Sequence, residues 1–170
     1  GSFTNLLGER NGTRKFDFEA RNRRPPKDPV NALLSFTYAM LTREWTVALA
    51  AVGLDPYLGF YHQPRHGRPA LALDMMEPFR PLVADSTVIT ALNTGEVSEK
   101  HFIKADRSTA LTEAGRKAFL SVYERRLSQE ITHPRFGYKV SYRRLFELQG
   151  RLLSRYLLGE LQQPPVFVTR

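Results

Sequence analysis

The chain has no cysteine, which excludes a disulfide framework, a thiolate metal site and a cysteine nucleophile. That is compatible with a reducing cytoplasm, where we expect the protein to work. No uninterrupted apolar run reaches the roughly 18 residues of a membrane span, so none is expected. Also missing are the G-x-S-x-G elbow, the P-loop, the G-x-G-x-x-G fingerprint and the H-E-x-x-H spacing. Serine hydrolase, nucleotide-binding and zincin chemistries therefore have no motif to rest on. There is no internal repeat and no low-complexity tract. Gly1-Ser2 reads as a cloning scar with no signal peptide after it, and the abrupt start suggests a piece of a longer protein.

What is present is 170 residues, 42% hydrophobic, enough for one domain with its own core. The formal net charge is +8, unevenly spread. Residues 1–30 hold seven Lys/Arg against four acids, and residues 135–170 hold seven against two. Solvated faces and a basic arm would explain this. A polyanionic partner, most often nucleic acid, explains it equally well. Charge alone tips the balance only slightly toward the partner.

Residues 1–28, ending "FDFEARNRRPPKD", read as a basic, proline-punctuated arm. "KFDFEA" has the pattern of a short strand. A long helix follows. Asp28 suits an N-cap and Pro29 the first helical position, apolar residues recur at helical spacing, and Gly53 suits a stop. "LDPYLGFYHQPRHGRPA" is a connection of the kind that carries function. A second helix spans about 69–93, and Pro78 within it predicts a break near Asp74–Pro78. "HFIKA" and "STALT" suggest a small hairpin. Thr112 caps a third helix, "EAGRKAFLSVYERRLSQEI". "THPRFGYKV" reads as a loop, with His133 a turn histidine. A fourth helix covers about 140–159, with Leu145, Leu148, Leu152 and Tyr156 on its apolar side. Arg144, Arg151 and Arg155 form a stripe beside that side. The expected fold is mainly α, multi-helix, with a small hairpin. Residues 29–161 form the helical domain, flanked by the arm at 1–28 and a tail at 162–170.

One stretch raises a chemical question. "ALALDMMEPFR" is apolar except for Asp74 and Glu77, three residues apart on one side of a helix. Two carboxylates so placed repel unless a cation, a proton or a donor intervenes. A salt bridge from Glu77 to Arg80, with Asp74 as a local cap, is one answer. A Mg²⁺ or Mn²⁺ site completed by His62 is the other, since carboxylate oxygens with one imidazole suit Mn²⁺ especially. The pattern alone favours the salt bridge. His66 and His101 make weaker ligand candidates.

The ordered series "RRPPKDPVNALLSF", "GLDPYLGFYH", "LALDMMEPFRP", "ALTEAGRKAFLSVYERRL" and "YRRLFELQGRLLSRYLLGE" resembles the CRISPR-associated spacer integrases from about Phe16 to Leu161. These are the first protein of the CRISPR adaptation module. The resemblance implies a helical catalytic domain that holds a divalent ion, Mg²⁺ or Mn²⁺. It places His62 and Glu77 as ligands and Asp74 as a neighbouring site acid. Asn31 and Tyr38 match motif positions that support or pack behind the site. The implied reaction is spacer insertion, in which a DNA 3′-hydroxyl attacks a phosphodiester at the CRISPR repeat. Arg80 would hold a phosphate or brace Glu77. Arg23, Arg24, Arg144, Arg151 and Arg155 are candidate DNA contacts, each as readily a solvated face.

The family's third ligand, a Glu, precedes the segment resembling "FTNLLGERNGTRKFDF", and Glu9, Asp17 and Glu19 do not occupy its motif. The resemblance therefore predicts two of three ligands here, an N-terminal β domain missing, and a chain inactive alone. Its implied partners are prespacer and leader-repeat DNA, the second CRISPR-associated protein, and an end-trimming CRISPR nuclease, in some members fused. The full-length form would be a homodimer. A non-catalytic basic helical module for DNA or protein docking is the alternative.

Overall fold

A computed structural model describes residues 26–58, 67–165 and 167. Residues 1–25 of the expected arm, with Arg23 and Arg24, and the loop residues His62 and His66 lie outside the described residues. The architecture is mainly helical, as expected. Five α-helices, α1 (Pro29–Ala51), α2 (Ala70–Met76), α3 (Ser86–Asn93), α4 (Glu113–Ser128) and α5 (Tyr142–Leu157), are joined by two small antiparallel hairpins. The hairpins are β1 (Phe102–Ala105) with β2 (Ser108–Leu111), and β3 (Glu130–Thr132) with β4 (Lys139–Ser141). No helix among the described residues is long and apolar enough to cross a membrane.

Local chemistry sets the ends of α1. The Asp28 carboxylate accepts from the Asn31 backbone N–H at 2.8 Å and from its side-chain amide at 2.7 Å, serving donors that no helical carbonyl can reach. Gly53 ends the run with φ of +81°, a conformation that costs glycine nothing.

The chain falls into two compact units, Gly1–Ala39 with Pro81–Arg126, and Met40–Arg80 with Leu127–Arg170. In the first, Leu33, Val83, Val88, Ala91, Phe119 and Val122 are buried, and the Phe36 and Phe119 rings meet at 6.0 Å. The β1–β2 hairpin has the expected place and a two-residue turn, with Phe102 opposite Leu111 and Ala105 opposite Ser108. Asp106 takes the turn with φ of +45°, a region that aspartate tolerates better than most residues. The hairpin base is pressed onto α4 at Gly115, where a Cβ would stand 2.5 Å from the His101 carbonyl oxygen. Thr112 caps α4 as expected, its hydroxyl accepting from the Gly115 N–H at 3.0 Å. His101, the weaker ligand candidate, is a capping group: its Nδ1 accepts from the Ser98 N–H at 3.0 Å.

In the second unit, Trp45 is fully buried, its ring 5.5 Å from Phe79 and 4.7 Å from Phe146. Phe79 also stacks on Phe167 at 4.7 Å. The buried face of α5 is Tyr142, Leu145, Phe146, Gln149, Gly150 and Leu153. The expected apolar side was placed too far round the helix. Leu148, Leu152 and Tyr156 are only half-buried, because Tyr142 and Phe146 bring the larger rings to the core and set the rotation. "THPRFGYKV" is likewise no plain loop but the turn and second strand of the β3–β4 hairpin. Its strands have three residues each, too short to show alternation. His133 organises the turn as expected, its Nδ1 accepting from the N–H groups of Arg135 and Phe136, both at 3.1 Å. Burial pushes the His133 imidazole below the usual histidine range, helped by the nearby Arg135 charge.

Candidate functional site

The Pro56 carbonyl accepts from the N–H groups of Leu71 and Ala72, at 3.0 and 3.3 Å. This serves two of the donors left open at the start of α2. It also ties the chain at Pro56 to the first turn of α2.

The end of α2 follows from Pro78. In a continuing helix the Asp74 carbonyl would receive the N–H of residue 78, and proline has none. The Glu77 N–H serves that carbonyl instead at 3.4 Å, and the Arg80 N–H turns to the Glu77 carbonyl at 3.3 Å. The expected break is therefore present, immediately after Met76. Beyond it the chain opens into a π-helical turn over Arg80–Asp85 before α3 starts. Such widened turns recur at functional sites.

The two acids lie in different surroundings. Glu77 keeps helical angles, φ −48° and ψ −51°, so the i, i+3 relation with Asp74 holds through the cap. Asp74 is 9% exposed. The Glu77 side chain is 50% exposed and makes an ion pair with Arg80 at 3.3 Å. The salt bridge weighed from the sequence is thus formed. It does not exclude a cation, because an exposed pair contributes only about 0–1 kcal/mol and leaves the carboxylate open to water on one side. Carboxylate oxygens are hard donors that fit Mg²⁺ or Mn²⁺. Among the described residues no group of three or more His, Asp or Glu is drawn together as a metal cluster.

The other candidates fall into place as follows. Asn31 is fully buried and bonded to Asp28, which makes it part of the α1 cap. The Tyr38 hydroxyl donates to Asp85 at 2.6 Å, fastening α1 to the last residue of the π-helical turn. Arg144 pairs with Glu147 one turn along α5. Arg151 and Arg155 are exposed. Sequence reasoning missed Asp85, a lone acid in "PLVADSTV" with nothing local to mark it. It also missed Lys104 and Arg107 around the β1–β2 turn, although "KADRS" carried that signal.

Comparison with known proteins adds independent information. The family described as CRISPR associated protein Cas1 matches residues 1–125. A CRISPR-associated exonuclease Cas4/endonuclease Cas1 fusion of Geobacter sulfurreducens is 69% identical over 155 residues, covering 91% of this chain and 28% of the relative. A CRISPR-associated endonuclease Cas1 of Thermus thermophilus is 42% identical over 169 residues, covering 99% of this chain and 49% of the relative. The chain thus spans half or less of these curated relatives. Among solved structures, a CAS1 protein from Thermotoga maritima superposes with a TM-score of 0.78 at 30% identity, over 94% of this chain and 49% of that one.

Proposed function

The chain belongs to the CRISPR-associated Cas1 family, and from that premise we propose that it carries the catalytic end of a metal-dependent DNA integrase. The observation that carries this reading is the position of Glu77, whose half-exposed carboxylate sits where Pro78 ends α2. In the proposed reaction a 3′-hydroxyl of captured DNA attacks a phosphodiester at the CRISPR repeat. One P–O bond forms as another breaks, and the proton of the attacking hydroxyl passes to the departing oxygen, so no outside oxidant or energy source is needed.

His62 and Glu77 hold a Mg²⁺ or Mn²⁺ ion, and Asp74 supports the site from its buried position. The bound ion supplies charge stabilisation at the phosphate and activation of the attacking oxygen. Arg80 balances Glu77 when the carboxylate is not engaged. Tyr38 steadies the π-helical turn through Asp85, and Asn31 secures the start of α1. Prespacer and leader-repeat DNA, a second CRISPR-associated protein and a trimming nuclease are the partners this reading implies. The Cas4 exonuclease portion named in the Geobacter relative agrees with the last of these. Arg23, Arg24, Arg151 and Arg155 are proposed phosphate contacts, and Arg144 joins them if it leaves Glu147.

The test is an integration assay on the full-length protein in Mn²⁺. His62→Ala and Glu77→Ala should each abolish strand joining while DNA binding persists. Integration surviving both changes would remove the catalytic assignment and leave a DNA-binding module.

A further inference from the structure

We propose that the tip of the β1–β2 hairpin is a phosphate-binding site, in which Lys27, Lys104 and Arg107 hold phosphodiester oxygens of duplex DNA; this rests on the reading that the protein acts on DNA. The site is a cleft of about 430 Å³ lined by Lys27, Lys104, Asp106, Arg107, Ser108 and Thr109. Of the described residues that line it, three are cations and one is an acid. Among the described residues neither Lys104 nor Arg107 makes an ion pair, unlike Arg80, Arg125, Arg143 and Arg144.

Backbone geometry explains why these side chains converge. Lys104 and Thr109 are directly opposite in the register, so their side chains share one face of the hairpin. The Thr109 N–H points away from β1 and donates to the Pro26 carbonyl at 2.8 Å. Its hydroxyl donates to the Lys27 carbonyl at 3.1 Å. The chain at Pro26–Lys27 is thereby laid along the outer edge of β2, which brings Lys27 to the face that Lys104 occupies. Arg107 completes the turn beside Asp106. The base of the hairpin is fixed by buried Leu111 and by the close seat of Gly115 under His101, while β1 is exposed from Ile103 to Ala105. A rigid base thus presents a solvent-facing cationic tip.

The chemistry of the cleft selects its ligand. Every residue described as lining it is polar or charged. It offers an Arg fork and two ammonium groups, all suited to oxygens that carry negative charge. It offers no arrangement for reading base edges, so its contribution is independent of DNA sequence.

The experiment is a fluorescence-anisotropy titration of a labelled DNA duplex over a salt series. It compares the protein with the Lys104→Ala/Arg107→Ala and Lys104→Gln/Arg107→Gln double variants. Each phosphate contact contributes about 0.9 to the slope of log K against log salt. The slope should become shallower by about 1–2 in both variants, with weaker binding at every salt concentration, while Lys104→Arg/Arg107→Lys keeps the slope. Glu77→Ala should leave the slope unchanged, so that loss of the catalytic reading and loss of this one are separable. Unchanged slope and affinity in folded double variants would overturn the proposal. So would inorganic phosphate binding at the tip with DNA binding unaffected, which would assign the cleft to a free anion.

Discussion

The Glu77 carboxylate and the Arg80 guanidinium stand 3.3 Å apart across Pro78, at the point where α2 stops. Glu77 is half-exposed and Arg80 part-buried, 50% and 28% by side chain, so water screens the pair and it contributes little to folding. Its effect is electrostatic and local: Arg80 competes with any cation for Glu77. Arg80→Gln should change stability by less than about 1 kcal/mol and tighten Mn²⁺ binding in a direct titration. Weaker Mn²⁺ binding would show that Arg80 is needed to position the carboxylate.

Pro78 should be replaceable without loss of fold. Pro78→Ala supplies the helical N–H that can replace the long Glu77 bond to the Asp74 carbonyl, so unfolding by denaturant should show equal or greater stability. A straightened helix re-aims Glu77, and integration by the full-length protein should fall. Full activity in a stable Pro78→Ala variant would mean that the break plays no part in shaping the site.

Trp45 is the packing centre of the second unit, flanked by Phe79 and Phe146. Its indole Nε1 is buried with no hydrogen-bond partner among the described residues. Trp45→Ala should cost about 3–5 kcal/mol. Trp45→Phe should cost clearly less, because it removes the unsatisfied N–H while keeping most of the ring volume. Equal losses in urea unfolding would refute the role given to the indole nitrogen.

The β3–β4 turn should be acid-sensitive. His133 is 3% exposed, and burial depresses its pKa below the usual histidine value of about 6.5. Below that value the unfolded chain takes up the proton first, so the stability His133 provides is full above about pH 6.5 and is lost as pH falls. The stability difference between the protein and His133→Asn, measured by urea unfolding, should shrink steadily from pH 7.5 to pH 5. A difference independent of pH would remove titration of His133 as the cause.

Much of this was legible in the chain because it is local. Asp28-Pro29 and Gly53 bracket α1, Thr112 opens α4, and Pro78 breaks the run from Ala70, each acting through its own backbone within a turn. The hairpin at β1–β2 was visible because two apolar-containing segments flank a short polar turn. The hairpin at β3–β4 was not, since strands of three residues carry no periodicity. The face of α5 was misplaced because apolar spacing gives a stripe on the helix but not which edge meets the larger rings.

By itself the amino-acid sequence determined where α1 begins and ends, where α4 begins, that a break would fall near Glu77, and that no thiol chemistry is available. The end of α4, expected at Ile131, falls at Ser128 because Glu130–Thr132 pair as β3. Only the tertiary structure decided that Asp74 is buried while Glu77 faces water, that Tyr38 finds Asp85 47 residues away, and that Thr109 seats Lys27 from 82 residues away. Backbone propensities and proline act over a few residues and can be read along the chain. The partner of a buried polar group is selected by packing, which brings together residues that no local pattern connects.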